Sequence, residues 1–137
     1  MRVVIGGAHN GKRQFVKKYL DQLNVKNRYI FEGEIPQSTY SKEDFVVIGN
    51  FEKIILQSIE LDEDVLAASI FNQLTLLNMQ TNIICICTDI GRGIVPLEKE
   101  DRKLRDTCGR LYQKLFTESE QVIRIWYGIP QILKGGE

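Results

Sequence analysis

A β-branched run, Arg2 to Ile5, stops at Gly6-Gly7, and a half-exposed helical pattern takes over from Gly11 to about Leu23. This strand, glycine turn and helix at the start of the chain constrain the fold more than any other feature. Strand-like and helix-like stretches alternate from there on, the signal for a parallel sheet flanked by helices. Arg28 to Phe31 reads as a second strand, and Glu32 to Glu43, with Gly33, Pro36 and several hydroxyl residues, reads as a loop. Asp44 to Ile48 is a short, continuously apolar run of the buried-strand kind. Leu66, Ile70, Leu74 and Leu77 recur at helical spacing within Leu61 to Leu77. Thr81 to Thr88 is apolar on both faces and belongs in the middle of the sheet. A helix near Lys99 to Phe116 carries Leu104, Cys108, Leu111 and Leu115 in one stripe. Val122 to Tyr127 reads as a last strand, interrupted by Gly128-Ile129-Pro130. The expected fold is a three-layer α/β sandwich with a mostly parallel sheet of about five or more strands, as one domain over residues 1–137.

Charge narrows the partners. Lys+Arg and Asp+Glu both number 18, whereas a long nucleic-acid footprint needs a basic excess. No apolar run approaches the ~20 residues of a bilayer span. The apolar stretch before Gly6 is too short for a signal peptide. Three cysteines, Cys85, Cys87 and Cys108, form no zinc-type repeat. A cytoplasmic location without structural disulfides is the expectation.

Gly6-Gly7-Ala8-His9-Asn10-Gly11-Lys12 fits G-x-x-x-x-G-K, the first seven positions of a phosphate-binding loop. In such a loop small residues let backbone N–H groups curl round a phosphate. The following helix presents its positive end, and the lysine adds a point charge. The eighth position departs from the pattern. A Ser or Thr hydroxyl coordinates Mg²⁺ there in other loops, but this chain has Arg13, a permanent cation that cannot ligate a metal. Arg13 either projects to solvent or fills the metal position with its own charge. A Mg²⁺ cofactor is therefore doubtful. The strand-end carboxylate that usually serves the metal is also replaced, since the third strand ends Val47-Ile48-Gly49-Asn50. Glu52 is either its substitute or a solvated residue at a helix start.

Two later segments carry a resemblance. Thr88-Asp89-Ile90-Gly91-Arg92-Gly93-Ile94-Val95-Pro96 is followed by Arg105-Asp106, Gly109-Arg110-Leu111 and Gln113. Gly128-Ile129-Pro130 then precedes Leu133-Lys134. Together with Gly6-Gly7-Ala8 and Gly11-Lys12, these segments resemble, in order and spacing, the adenosylcobinamide kinase / adenosylcobinamide-phosphate guanylyltransferase family of cobalamin biosynthesis. The resemblance implies a P-loop nucleotide-binding type of α/β fold and a homotrimer. It also implies GTP or ATP as nucleotide and adenosylcobinamide as acceptor. By position, Gly6, Gly7, Ala8, His9, Asn10, Gly11, Lys12 and Arg13 would cradle the triphosphate. Glu32, Gly33 and Glu34 would add nucleotide contacts, and Lys12 and Asp89 would serve catalysis. The family's guanylylated histidine lies on a segment rich in Arg and His after the second strand. Residues 32–43 contain neither, and the only histidine, His9, sits in the glycine loop, where contact with solvent or phosphate is the simpler reading. The expected function is a nucleotide-binding protein of this type, on the kinase side rather than the guanylyl-transfer side. The alternative is a catalytically inactive member acting as a binding or scaffold protein.

Other features have simpler readings. Cys85 and Cys87 project to one face of their strand and read as core. Gly109 reads as an allowance for close backbone packing. Arg92, Arg102, Arg105 and Arg110 form a basic cluster that fits a phosphate site, a subunit interface or a solvated helix face equally well. Trp126 and Tyr127 read as core or interface packing, or as contacts for a large flat ligand.

Overall fold

The structure, a computed structural model, describes residues 1–7, 11–89 and 98–136. In chain order the elements are β1 (Arg2–Gly6), α1 (Lys12–Gln22), β2 (Arg28–Glu32), β3 (Phe45–Gly49), α2 (Phe51–Leu56) and α3 (Glu63–Asn78). There follow β4 (Asn82–Thr88), α4 (Lys99–Glu118), β5 (Gln121–Trp126) and β6 (Ile129–Lys134). The strands form one sheet in the order β2-β3-β4-β1-β5-β6. Strands β1 to β5 are parallel, and β6 runs antiparallel on the edge beside β5. The α/β, mostly parallel architecture expected from the sequence is the one observed.

Alternation along the strands builds two cores. Val3, Val46, Ile48, Ile83, Cys85, Cys87 and Val122 point to the side covered by α2, α3 and α4. Val4, Val47, Ile84, Ile86, Ile123 and Ile125 point to the opposite side, where Val16 and Leu20 of α1 meet them. Among the described residues the two layers are unequal: three helices cover one face and a single helix the other. Cys85, Cys87 and Cys108 are buried free thiols. Burial pushes Cys85 and Cys108 up to about 12 and raises Cys87 as well, so all three stay protonated and inert at neutral pH.

Local chemistry sets the element ends. The Asp62 carboxylate accepts from the Asp64 and Val65 amides and caps α3. Lys134 Nζ donates to the Phe116 and Thr117 carbonyls, at 2.9 and 2.6 Å, and so satisfies the last turn of α4. The main departure from the sequence reading lies at the end of the chain. Gly128-Ile129-Pro130 does not merely interrupt the last strand. Tyr127 and Gly128 both take positive φ, 47° and 80°, as a two-residue hairpin of the right twist requires, and the chain returns as β6. Pro130 is tolerated because β6 is an edge strand. No helix among the described residues is long and apolar enough to cross a membrane.

Candidate functional site

Parallel register brings the carboxyl ends of five strands to one edge. Gly6 pairs with Thr88 across β1 and β4 and with Ile125 across β1 and β5. Glu32 pairs with Gly49 across β2 and β3. From that edge α1 leaves β1 over one face, whereas α4 follows β4 over the other. Chains that part in this way open a crevice at the strand ends, the place where ligands of open α/β sheets bind. Asp89 closes the floor of the crevice: its amide donates to the Gly6 carbonyl at 2.8 Å.

Lys12 opens α1 and is 4% exposed. Its ammonium reaches back into the glycine turn and donates to the carbonyls of Gly6 and Gly7, at 3.2 and 2.7 Å. Burial lowers its pKa, and the adjacent Arg13 charge lowers it further. Glu52 opposes both effects. Gly6 has a steric reason to be glycine, because a Cβ there would lie 2.6 Å from the Ile125 carbonyl oxygen. The strand end can thus press against β5.

On the β2–β3 side the turn is flanked by an ion pair. Arg13 Nε donates to Glu32 Oε1 at 2.9 Å and its Nη2 to Oε2 at 2.6 Å, a bidentate fork. That hydrogen bonding raises the arginine pKa above its already high value. The fork lies directly over Gly49. A Cβ at that position would stand 2.8 Å from both Arg13 Nη2 and Glu32 Oε1. These residues do not fit Mg²⁺. A cation takes the place of the ligating hydroxyl, and a strand end that must stay bare under the fork replaces the carboxylate. Glu52, at the start of α2, keeps one oxygen buried without a hydrogen-bond partner among the described residues. Its charge bears on Lys12 and Arg13.

On the other side the turn opens into a cleft of about 550 Å³. Gly6, Gly7 and Asp89 form its inner end, one face of α4 its wall, and Arg124, Trp126 and Leu133 of β5 and β6 its outer end. The α4 wall consists of Gly109, Tyr112, Gln113 and Phe116, which share a helical face at i, i+3, i+4 and i+7. Tyr112 donates its hydroxyl to the Thr88 carbonyl at 3.1 Å, tying the wall to β4. Arg124 lies over the Trp126 ring, 4.6 Å from its centroid, a cation–π contact that stiffens the outer end.

Residues 34–133 match the family described as cobinamide kinase / cobinamide phosphate guanyltransferase, which is more than half of the chain. The chain belongs to that family. No curated protein matches the sequence closely enough to narrow it further. The span matching the cobinamide kinase / guanyltransferase family takes in Gly49, Asp89 and the whole α4 wall, and leaves Gly6 to Glu32 outside it.

Of the residues singled out from sequence, the fold brings Gly6, Gly7, Lys12, Arg13, Glu32 and Asp89 to one edge of the sheet, where Gly6, Gly7 and Asp89 line the cleft and Arg13 and Glu32 pair on the other side of the turn. Gly11 caps α1 in the left-handed region at φ 83°. Gly33 is buried at the β2 corner, where its amide donates to Gly49 O and its carbonyl accepts from Gln57 Nε2. Glu34 is exposed beyond it. Ala8, His9 and Asn10, and the signature residues from Ile90 to Pro96, lie outside the described residues. Gly109 does not serve close packing: a Cβ there would meet nothing within 4 Å, because it faces the cleft. Trp126 is not core, being 51% exposed. Of the basic cluster, Arg92 lies outside the described residues, and two members pair with neighbouring acids. Arg110 lies 3.6 Å from Glu63 and 3.4 Å from Asp64 of α3, and Arg105 lies 3.3 Å from Asp106. Tyr112, Phe116 and Arg124 were not singled out. Their signal was present in the helical spacing from Gly109 and in the lone charge between Ile123 and Ile125.

Proposed function

We propose that residues 1–137 act as one nucleotide-binding domain of P-loop type, taking GTP or ATP at the glycine turn with cobinamide as phosphoryl acceptor. The observation carrying this reading is the buried Lys12 ammonium pointed into the Gly6–Gly7 turn, at the inner end of a cleft large enough for the rest of a ligand. In the bound complex the Lys12 ammonium would exchange the two carbonyls for phosphate oxygens, and the α1 N-terminus would face the same group. Asp89 would bound the transfer position. The kinase side of the family's chemistry is favoured over guanylyl transfer because residues 32–43 supply neither His nor Arg. A homotrimer in the cytoplasm is the assembly and setting that family membership suggests.

A second reading, a catalytically inactive member acting through binding, draws support from the Arg13–Glu32 fork over Gly49, where kinases of this kind keep a metal. Calorimetric titration of GTP and ATP, with and without Mg²⁺, separates the readings when followed by a cobinamide phosphorylation assay. Micromolar binding lost in Lys12→Ala, with phosphate transferred to cobinamide, is the expected result. Binding without transfer selects the inactive reading. No binding up to millimolar nucleotide sinks the enzyme reading and leaves an inactive member whose job is to bind something else.

A further inference from the structure

This inference rests on the phosphate-cradle reading and concerns the source of positive charge in it. The first turn of α1 holds Lys12 and Arg13 and no acidic residue, and Gly11 provides no side-chain cap. Two cations at the positive end of a helix are unfavourable unless an anion faces them. Within the described fold Glu32 and Glu52 partly meet that need. The Glu32 fork is half-exposed, with Arg13 and Glu32 side chains 52% and 42% accessible, so it is held weakly enough to exchange. Glu32 approaches only because Gly49 has no side chain. Arg13 and Gly49 stand where other glycine loops keep a hydroxyl and a carboxylate for Mg²⁺, and Glu32 joins them into one device.

We propose that Arg13 is the exchangeable counter-charge of the phosphate site. Glu32 holds its guanidinium over Gly49, and an arriving polyphosphate takes the guanidinium over, receiving without Mg²⁺ the neutralisation that a metal gives elsewhere. The ligand class is a di- or triphosphate chain, whose paired oxygens match the arginine fork as the carboxylate does. Glu32 is a positioning residue: it competes with the ligand for Arg13 and sets the affinity.

The test is calorimetric titration of inorganic tripolyphosphate into the wild type and the Arg13→Gln, Glu32→Gln, Gly49→Ala and Lys12→Ala variants, in EDTA and then in Mg²⁺. Thermal melts check the fold of each. In EDTA, Arg13→Gln is expected to weaken binding at least about tenfold. Glu32→Gln should tighten it about threefold by freeing the guanidinium from a weak pair. Gly49→Ala should act in the same direction as Glu32→Gln, since its methyl separates the fork without removing a charge. It keeps the test valid if Glu32→Gln does not fold. Mg²⁺ should give no gain in affinity. Wild-type binding that is lost in Lys12→Ala but unchanged in Arg13→Gln, or tightened tenfold by Mg²⁺, overturns the inference and leaves the cradle standing. Wild-type binding as weak as that of Lys12→Ala overturns both.

Discussion

On the β2–β3 side of the Gly6–Gly7 turn, Arg13, Glu32 and Gly49 fill the space with a two-bonded ion pair. On the β5–α4 side the same turn opens into a cleft of about 550 Å³ walled by Gly109, Tyr112, Gln113 and Phe116. The closed flank is charged and tightly filled over Gly49, whereas the open flank is roomy and aromatic, with Asp89 and Arg124 at its two ends. A ligand that satisfies both has a compact anionic end and a larger, partly apolar body. That shape describes a nucleotide, or a nucleotide meeting a bulky acceptor, better than it describes free phosphate. Under the proposed function, the two flanks would divide the work along one sheet edge: charge neutralisation toward β2, and recognition of the body toward β6.

The largest effect is expected from filling the open flank. Gly109 has free space beyond its Cα, and it lies in the interior of α4 (Lys99–Glu118), where glycine costs ~1 kcal/mol relative to better helix formers. Gly109→Leu should therefore keep or raise the melting temperature while obstructing the cleft. Nucleotide affinity by calorimetry should fall at least about tenfold, equivalent to ~1.4 kcal/mol. A stable Gly109→Leu protein with unchanged affinity would mean that the body of the ligand lies elsewhere, and the comparison between flanks would break.

Legibility in the sequence follows the same division. Strands and helices were readable because each buried stripe is local: Ile83, Cys85 and Cys87 alternate, and Leu111 and Leu115 recur at helical spacing. The glycine turn and Lys12 were readable for the same reason, being contiguous. The Arg13–Glu32 fork joins residues 19 apart and needs a bare Gly49 from a third segment, so nothing local announces it. The cleft draws on β1, α4, β5 and β6, and only its α4 face has a period to read. Strand β6 was hidden because Pro130 and Gly128 carry the signals of an ending, and only the positive φ of Tyr127 turns them into a hairpin.

The closed flank should couple only weakly to folding, which makes it adaptable. A double-mutant cycle with Arg13→Ala and Glu32→Ala, followed by urea unfolding, should give a coupling of about 0.2–1 kcal/mol, the range of exposed pairs. The coupling should shrink in high salt. A value well above that range would make the fork a fixed strut joining α1 to β2. The contrast with the open flank would then be one of rigidity rather than of charge.

Lys12 lies between the flanks, and its protonation gives the smallest and most directional effect. Burial and Arg13 lower its pKa in the folded chain from the ordinary 10.5. Below the lowered value both folded and unfolded lysine are charged, and the cost of burying that charge is fully present. Between the lowered value and 10.5 the unfolded chain binds more protons than the folded chain, so wild-type stability rises with pH in that window. Lys12→Met has no such group. The stability of the wild type relative to Lys12→Met should therefore improve as pH climbs toward 10.5, with all other titrations cancelling in the difference. The slope should be modest, because Glu52 and the carbonyls of Gly6 and Gly7 offset part of the burial. A difference that instead worsens with rising pH would make Lys12 a net stabilising cation of the ligand-free fold. Its ammonium would then be bound to the turn too firmly to be given up readily to a phosphate, and the cradle would have to rely on Arg13 alone.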